Sequence, residues 1–301
     1  MSDETPALAP RALRHWALAA RPRTLGGSIV PVLVGSAIAF AQGAHRSAVT
    51  VVCLCAAVLL QIGTNLANDA LDFARGIDTE RRIGPTRVTQ AGLVSYRSVV
   101  AAAGGAFGLA MLCGIYLVAV GGIPILLIGL ASIAAAVAYS GGPFPLASHG
   151  LGELAAFVFF GLVAVAGTTY LHTGELSGPA LLAAIPVGAL ISSVMVVNNL
   201  RDIGSDAEVG KRTLAVRLGA ARTLRLYVGL VALAFVWVGV LYRASPAGMG
   251  ALLCLASAPL AVTAVRHLRA ARTGEQFNGC LAETARLHAL YGGLLGLGFL
   301  A

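Results

Sequence analysis

Two stretches of this sequence carry oxygen ligands at helical spacing. Between Gln61 and Asp72, the residues Gln61, Asn65, Asn68, Asp69 and Asp72 follow three- and four-residue steps, which on a helix make one polar stripe. Between Val197 and Asp206, the residues Asn198, Asp202 and Asp206 are four apart. Each stretch leads into a glycine and a basic run: Arg75, Gly76, Arg81, Arg82 and Arg87 after the first, Gly210, Lys211, Arg212 and Arg217 after the second. Carboxylates crowded on a helix repel one another and are costly to desolvate, unless a divalent cation sits among them. Asp and Asn oxygens are hard ligands, and Mg²⁺ is held by one or two carboxylates plus substrate phosphates and water. Arginine suits bidentate contact with the remaining phosphate charge. The chemistry such a set supports is a diphosphate clamp. One Asp-Arg-rich loop alone is ordinarily a solvated loop, but two matched copies read as a diverged duplication that builds a site.

The elements that must position these stripes are membrane helices. The chain is 57% hydrophobic and only 11% charged, where a soluble domain carries about 25% charged residues. Nine apolar windows reach the length a bilayer crossing needs, about 20 residues: roughly 24–43, 48–70, 97–119, 122–140, 152–171, 179–200, 223–242, 246–265 and 280–300. The fold class expected is therefore an all-α integral membrane protein of about nine transmembrane helices. With a cytoplasmic N-terminus, only Arg46 and Arg243 among the basic residues fall outside, and Arg286 lies within the last window. This positive-inside asymmetry sets the orientation, and it puts both polar stripes on the cytoplasmic face. The net charge of +8 is thus accounted for by topology, and nucleic acid is not an expected partner.

Residues 1–19 read as a disordered cytoplasmic tail without the order of a cleaved signal peptide. Residues 20–301 read as one transmembrane domain with two aspartate-rich halves, 20–150 and 151–301. The five cysteines show neither metal-ligand spacing nor a disulfide framework. A diphosphate at the membrane surface whose isoprenoid tail enters the apolar space between helices fits this arrangement. The rival from another class is an ion-coupled transporter, whose acids lie near the bilayer midplane; here they gather at helix ends.

These residues resemble the UbiA superfamily of membrane prenyltransferases, which carry two aspartate-rich motifs on a nine-helix bundle. Asn68-x-x-x-Asp72 is similar to the first motif and Asp202-x-x-x-Asp206 to the second. The family's first motif usually ends on an aspartate where Gly76 stands here; the next aspartate is Asp78. The resemblance is strongest to the branch that prenylates 1,4-dihydroxy-2-naphthoate. It is carried by 20–25 before the first window, by 65–78, by 82–87, by 139–143, by 150–153, and by 198–219, while 145–149 departs from it.

The resemblance implies a bacterial inner-membrane enzyme with a cytoplasmic active site, an Mg²⁺ cofactor (or Mn²⁺), and a polyprenyl diphosphate and 1,4-dihydroxy-2-naphthoate as substrates. The product would be demethylmenaquinone, with loss of carbon dioxide and diphosphate. It places Asn68, Asp69, Asp72, Asp202 and Asp206 at the metal, with Asn65 in or behind that shell. Asp72, Asp202, Asp206 and Lys211 would be catalytic. Arg81, Arg82, Arg87, Arg21, Arg23, Asn198 and Arg201 would meet the diphosphate or the acceptor, and Tyr139 and Glu153 the acceptor. Other acceptors of the superfamily, namely 4-hydroxybenzoate, chlorophyllide or haem, are the alternatives.

Overall fold

A computed structural model describes residues 8–77 and 84–301, and among these residues there is no strand. Four helices make the first half: α1 (Leu8–Ala20), α2 (Pro22–Ala41), α3 (Ser47–Ala74) and α4 (Tyr96–Ala138). In the second half, α5 (Gly152–Ala156) runs through a π-helical segment, Phe157–Val163, into α6 (Ala164–Thr173). Then come α7 (Gly178–Arg201), α8 (Ile203–Glu208), α9 (Leu214–Leu218) and α10 (Ala220–Ala244). A 3₁₀ segment, Gly248–Ser257, precedes α11 (Ala258–Ala270), and α12 (Gly274–Leu300) closes the chain.

Seven stretches among the described residues are long and apolar enough to cross a membrane. The chain is a multi-pass membrane protein. One of the seven, α4, has 43 residues, which would measure about 65 Å if straight, roughly twice the hydrocarbon thickness. It is not straight. Gly122 adopts φ 70° and ψ −157° inside it, and Pro124 follows; a positive φ costs glycine nothing. The two windows expected at 97–119 and 122–140 are its two arms. The window expected at 280–300 lies within α12, outside the seven.

The tail expected over 1–19 is corrected in part: from Leu8 the chain is helical. Its side chains explain why. Ala19 and Trp16 pack with Leu66, Ala67 and Ala70 of α3 and with Val88, while Leu13 and Leu18 stay exposed. A helix with one face on the bundle and another open is stable where a free tail would not be. Residues 1–7 lie outside the described ones.

The largest core gathers α2, α6, α7, α10, α11 and α12 around Leu190, Tyr227, Leu287 and Tyr291, all fully buried. With no hydrophobic drive between helices in lipid, contact comes from close approach over small residues. The π segment and α7 meet backbone to backbone. A Cβ on Gly161 would stand 2.6 Å from Gly188 Cα, and one on Gly188 would stand 2.9 Å from Phe157 Cδ2.

Candidate active site

A cavity of about 2150 Å³ runs into the bundle between α2, α3, α4, the π segment, α7 and α12. Its depth is apolar, with Cys53, Leu117, Ile125, Phe159, Phe160 and Val163 on its walls. Its mouth is polar, and both sequence stripes end there: Asn65, Asn68 and Asp72 from α3, with Asn198, Asp202, Asp206 and Lys211 from the end of α7 and the chain beyond it. Arg21, Arg23, Arg87 and Tyr139 line it as well.

On the α3 side the carboxylates take different parts. Asp72 is buried and accepts from Arg87 Nη2 at 3.0 Å. Asp69 is turned off the cavity. Its Oδ2 accepts from the Val88 N–H at 3.1 Å and its Oδ1 from the Thr89 N–H at 3.0 Å. The expectation that Asp69 is a metal ligand is therefore corrected. Neighbouring residues on a helix point about 100° apart, so Asp69 cannot share the face of Asn68. It ties down the turn that starts at Val88, and so fixes Arg87 against Asp72.

Asn65 is likewise committed within the chain. Its Nδ2 donates to Ala20 O at 2.8 Å and to Thr24 Oγ1 at 2.9 Å, and its Oδ1 accepts from Gln61 at 3.2 Å. It pins the α1–α2 corner. There Arg21 takes φ 53°, the single left-handed non-glycine among the described residues. Strained backbone of this kind persists where the surroundings over-determine it, and here it aims an arginine at the cavity mouth.

On the α7 side, Arg201 is buried with every guanidinium nitrogen engaged. Its Nε and Nη2 donate to the two Asp202 oxygens at 2.7 and 2.6 Å, Nη2 also to Asn198 Oδ1 at 2.9 Å, and Nη1 to Asn278 Oδ1 at 2.9 Å. Arg201 does not line the cavity, so the expectation of substrate contact is corrected: it orients Asp202. Lys211 Nζ stands 3.5 Å from Asp206 Oδ1. Glu153 also lies behind the wall, reached through Asn199. Arg81 and Arg82, with Asp78, fall outside the described residues.

The chain as a whole has known counterparts. Residues 28–278 match the model of the UbiA prenyltransferase family. The chain belongs to that family. It is 42% identical over 270 residues, 90% of this chain and 91% of the relative, to a 1,4-dihydroxy-2-naphthoate octaprenyltransferase of Mycobacterium tuberculosis. Among solved structures, an apo UbiA homolog from Aeropyrum pernix K1 covers 91% of this chain and 96% of its own, with TM-score 0.66 and 18% identity. A UbiA homolog from Archaeoglobus fulgidus bound to DMAPP and Mg²⁺ covers 93% and 98%, with TM-score 0.62 and 16% identity.

For this UbiA-family chain, the fit of a divalent cation can be tested on its own donors. Asn68 Oδ1 is buried and accepts no hydrogen bond among the described residues, and a buried polar atom left so is costly. It faces the mouth with Asp72, and Asp202 and Asp206 face it from the other side. No three Asp, Glu, His or Cys side chains among the described residues form a closed metal set. The donors suit Mg²⁺ in its usual form, one or two carboxylates completed by phosphate and water.

Three further polar residues at this site carried no role in the expectations from sequence. Asn199 and Asn278 line the cavity, and Thr24 receives Asn65. Asn199 had a signal, being three residues before Asp202 and seven before Asp206 on the same helical rule. Asn278 had none, because α12 carries no acidic motif.

Proposed function

We propose that this chain transfers a polyprenyl group from its diphosphate to 1,4-dihydroxy-2-naphthoate, giving the quinol form of demethylmenaquinone, carbon dioxide and diphosphate. The observation that carries the reading is the cavity, apolar along its depth and lined at its mouth by three carboxylates, Asp72, Asp202 and Asp206, each with its own cation. The 42% identical relative bears that activity in its name, which supports the choice of acceptor.

The diphosphate sits at the mouth and the prenyl chain in the cavity. Asn68, Asp72, Asp202 and Asp206 would hold Mg²⁺, which when bound neutralises diphosphate oxygens as a Lewis acid. Without substrate, Arg87 and Lys211 neutralise Asp72 and Asp206. With it, they turn to the leaving phosphate charge, together with Arg21 and Arg23. The allylic C–O bond breaks and its electron pair leaves with the diphosphate, whose growing charge these preset cations stabilise. The ring carbon bearing the carboxylate attacks the allyl cation. A C–C bond forms, the bond to the carboxylate breaks, its electron pair returns to the ring, and carbon dioxide departs.

Residues 20–301 act as one unit, crossing a bacterial inner membrane nine times with the clamp on the cytoplasmic side. The basic-residue asymmetry and the broken α4 support this topology. Transfer by the purified protein, with dihydroxynaphthoate and a series of polyprenyl diphosphates, with and without EDTA, tests the activity. Turnover with 4-hydroxybenzoate but not with dihydroxynaphthoate overturns the acceptor. Transfer that survives EDTA overturns the metal.

A further inference from the structure

One turn of α7 below Asp202, a polar cluster remains that the clamp does not use. Asn199 lines the cavity near Met195 and Asn198. Its Nδ2 donates to Glu153 Oε1 at 2.8 Å. Glu153 is 6% exposed and off the cavity, and its main-chain oxygen accepts from Ser192 Oγ at 2.9 Å. Glu153 Oε2 is buried with no hydrogen-bond partner among the described residues. A carboxyl group placed so is costly at the start of a membrane helix, and its side-chain hydrogen bond goes to Asn199.

That contact fixes a direction. An asparagine amide has a donor end and an acceptor end. Ionised Glu153 can only accept, so it holds the NH₂ of Asn199 towards itself, as the contact shows. The amide oxygen then faces the other way. Among the described residues Asn199 Oδ1 takes no hydrogen bond, and it is not among the buried atoms left without a partner; it is open to the cavity. Nearby, Tyr139 Oη donates to Met195 Sδ at 3.2 Å, one turn before Asn199, so the phenol is held as part of the wall. Tyr139, Met195 and Asn199 thus line one stretch of the cavity wall, with Asn199 Oδ1 available there as an acceptor.

We propose that Glu153 is a positioning residue that locks the Asn199 amide, so that Asn199 Oδ1 accepts a hydrogen bond from a ring hydroxyl of the aromatic acceptor. This rests on the prenyl-transfer reading above and adds which hydroxyl chemistry the site selects. A hydroxyl that donates here pushes electron density into the ring, which favours attack on the allyl cation. A ring ether at the same place offers no proton and leaves Oδ1 without a partner, at a cost.

The test uses the full chain in lipid nanodiscs, with dihydroxynaphthoate and its two mono-methyl ethers. The variants are Asn199→Ala and Glu153→Gln. The wild type should favour the free hydroxyl over one of the ethers by about tenfold. Asn199→Ala should lose that preference and raise the acceptor KM about tenfold, while the KM for the prenyl diphosphate stays within about twofold. Glu153→Gln should shift the preference the same way and less far, because a glutamine can face Asn199 with either end. If Glu153→Gln does not fold, Asn199→Ala decides alone. If Asn199→Ala keeps the preference, or if the two KM values move together, the proposal is overturned. Should the wild type refuse dihydroxynaphthoate, the acceptor reading fails separately, and the same comparison with 4-hydroxybenzoate and 4-methoxybenzoate decides the role of Asn199.

Discussion

The two aspartate-rich helices do the same work from unlike places. The apolar window of α7 is 67% buried within the protein, and that of α3 only 17%. The enclosed helix takes its cations from its own vicinity: Arg201 is the residue next to Asp202, and Lys211 is five residues past Asp206. The peripheral helix cannot. Its cation, Arg87, stands 15 residues beyond Asp72 on a loop, and Asp69 is used up in holding that loop. A buried carboxylate must be paired wherever it lies. In the crowded half the pair is built into one helix end, and in the open half it is strapped on.

Asp72→Ala and Asp202→Ala should each lower prenyl transfer by about a thousandfold, since each removes a carboxylate that would hold the Mg²⁺ facing the diphosphate. Their stabilities should differ. Asp202→Ala leaves Arg201 buried with amide partners only and should cost about 3 kcal/mol, read from the unfolding midpoint in detergent. Asp72→Ala should cost less, because the loop carrying Arg87 can relax. Equal losses would mean the two halves are built alike.

Next in size is Asp69→Ala. It frees the Val88 and Thr89 amides and should lower transfer by about ten- to a hundredfold through misplacement of Arg87, at about 1–3 kcal/mol for the buried donors left unmade. Limited proteolysis should cut sooner at 84–94. The Mg²⁺ concentration for half-activity should stay put, whereas Asp72→Asn should raise it. A matching rise for Asp69→Ala would return Asp69 to the metal.

Smallest is Lys211→Ala. Its pair with Asp206 is partly open at 16% and 9%, so stability should change by less than about 1 kcal/mol. The KM for the prenyl diphosphate should still rise, by about fivefold, from the loss of one charge-assisted contact. An unchanged KM would place Lys211 outside the clamp.

What could be read in the sequence was whatever repeats with a helical period. The stripes at 61–72 and 198–206 and the apolar windows follow from spacing alone, and the structure brings both stripes to one mouth. What could not be read depended on angle and on distant partners. Asp69 fits a three- and four-residue rule with Asn65 and Asp72, yet it points at the 88–89 turn, a contact 19 residues away that no local pattern announces. Arg201 looked like a substrate group because it is basic and adjacent; its four bonds inside the chain became visible only when α12 brought Asn278 to it. The helix at Leu8–Ala20 escaped because its apolar face is short and is met by α3, not by lipid.

The glycine crossing between the π segment and α7 has a consequence for inheritance. Neither Gly161 nor Gly188 lines the cavity, yet a side chain at either would push the wall into α7, whose far end bears Asp202. Any change in the first or second base of a glycine codon replaces the residue. Most nucleotide substitutions in these two codons would therefore add a side chain for which there is no room. A mutational scan scored on prenyl transfer alone would rank both positions beside the aspartates, though neither ever meets a substrate.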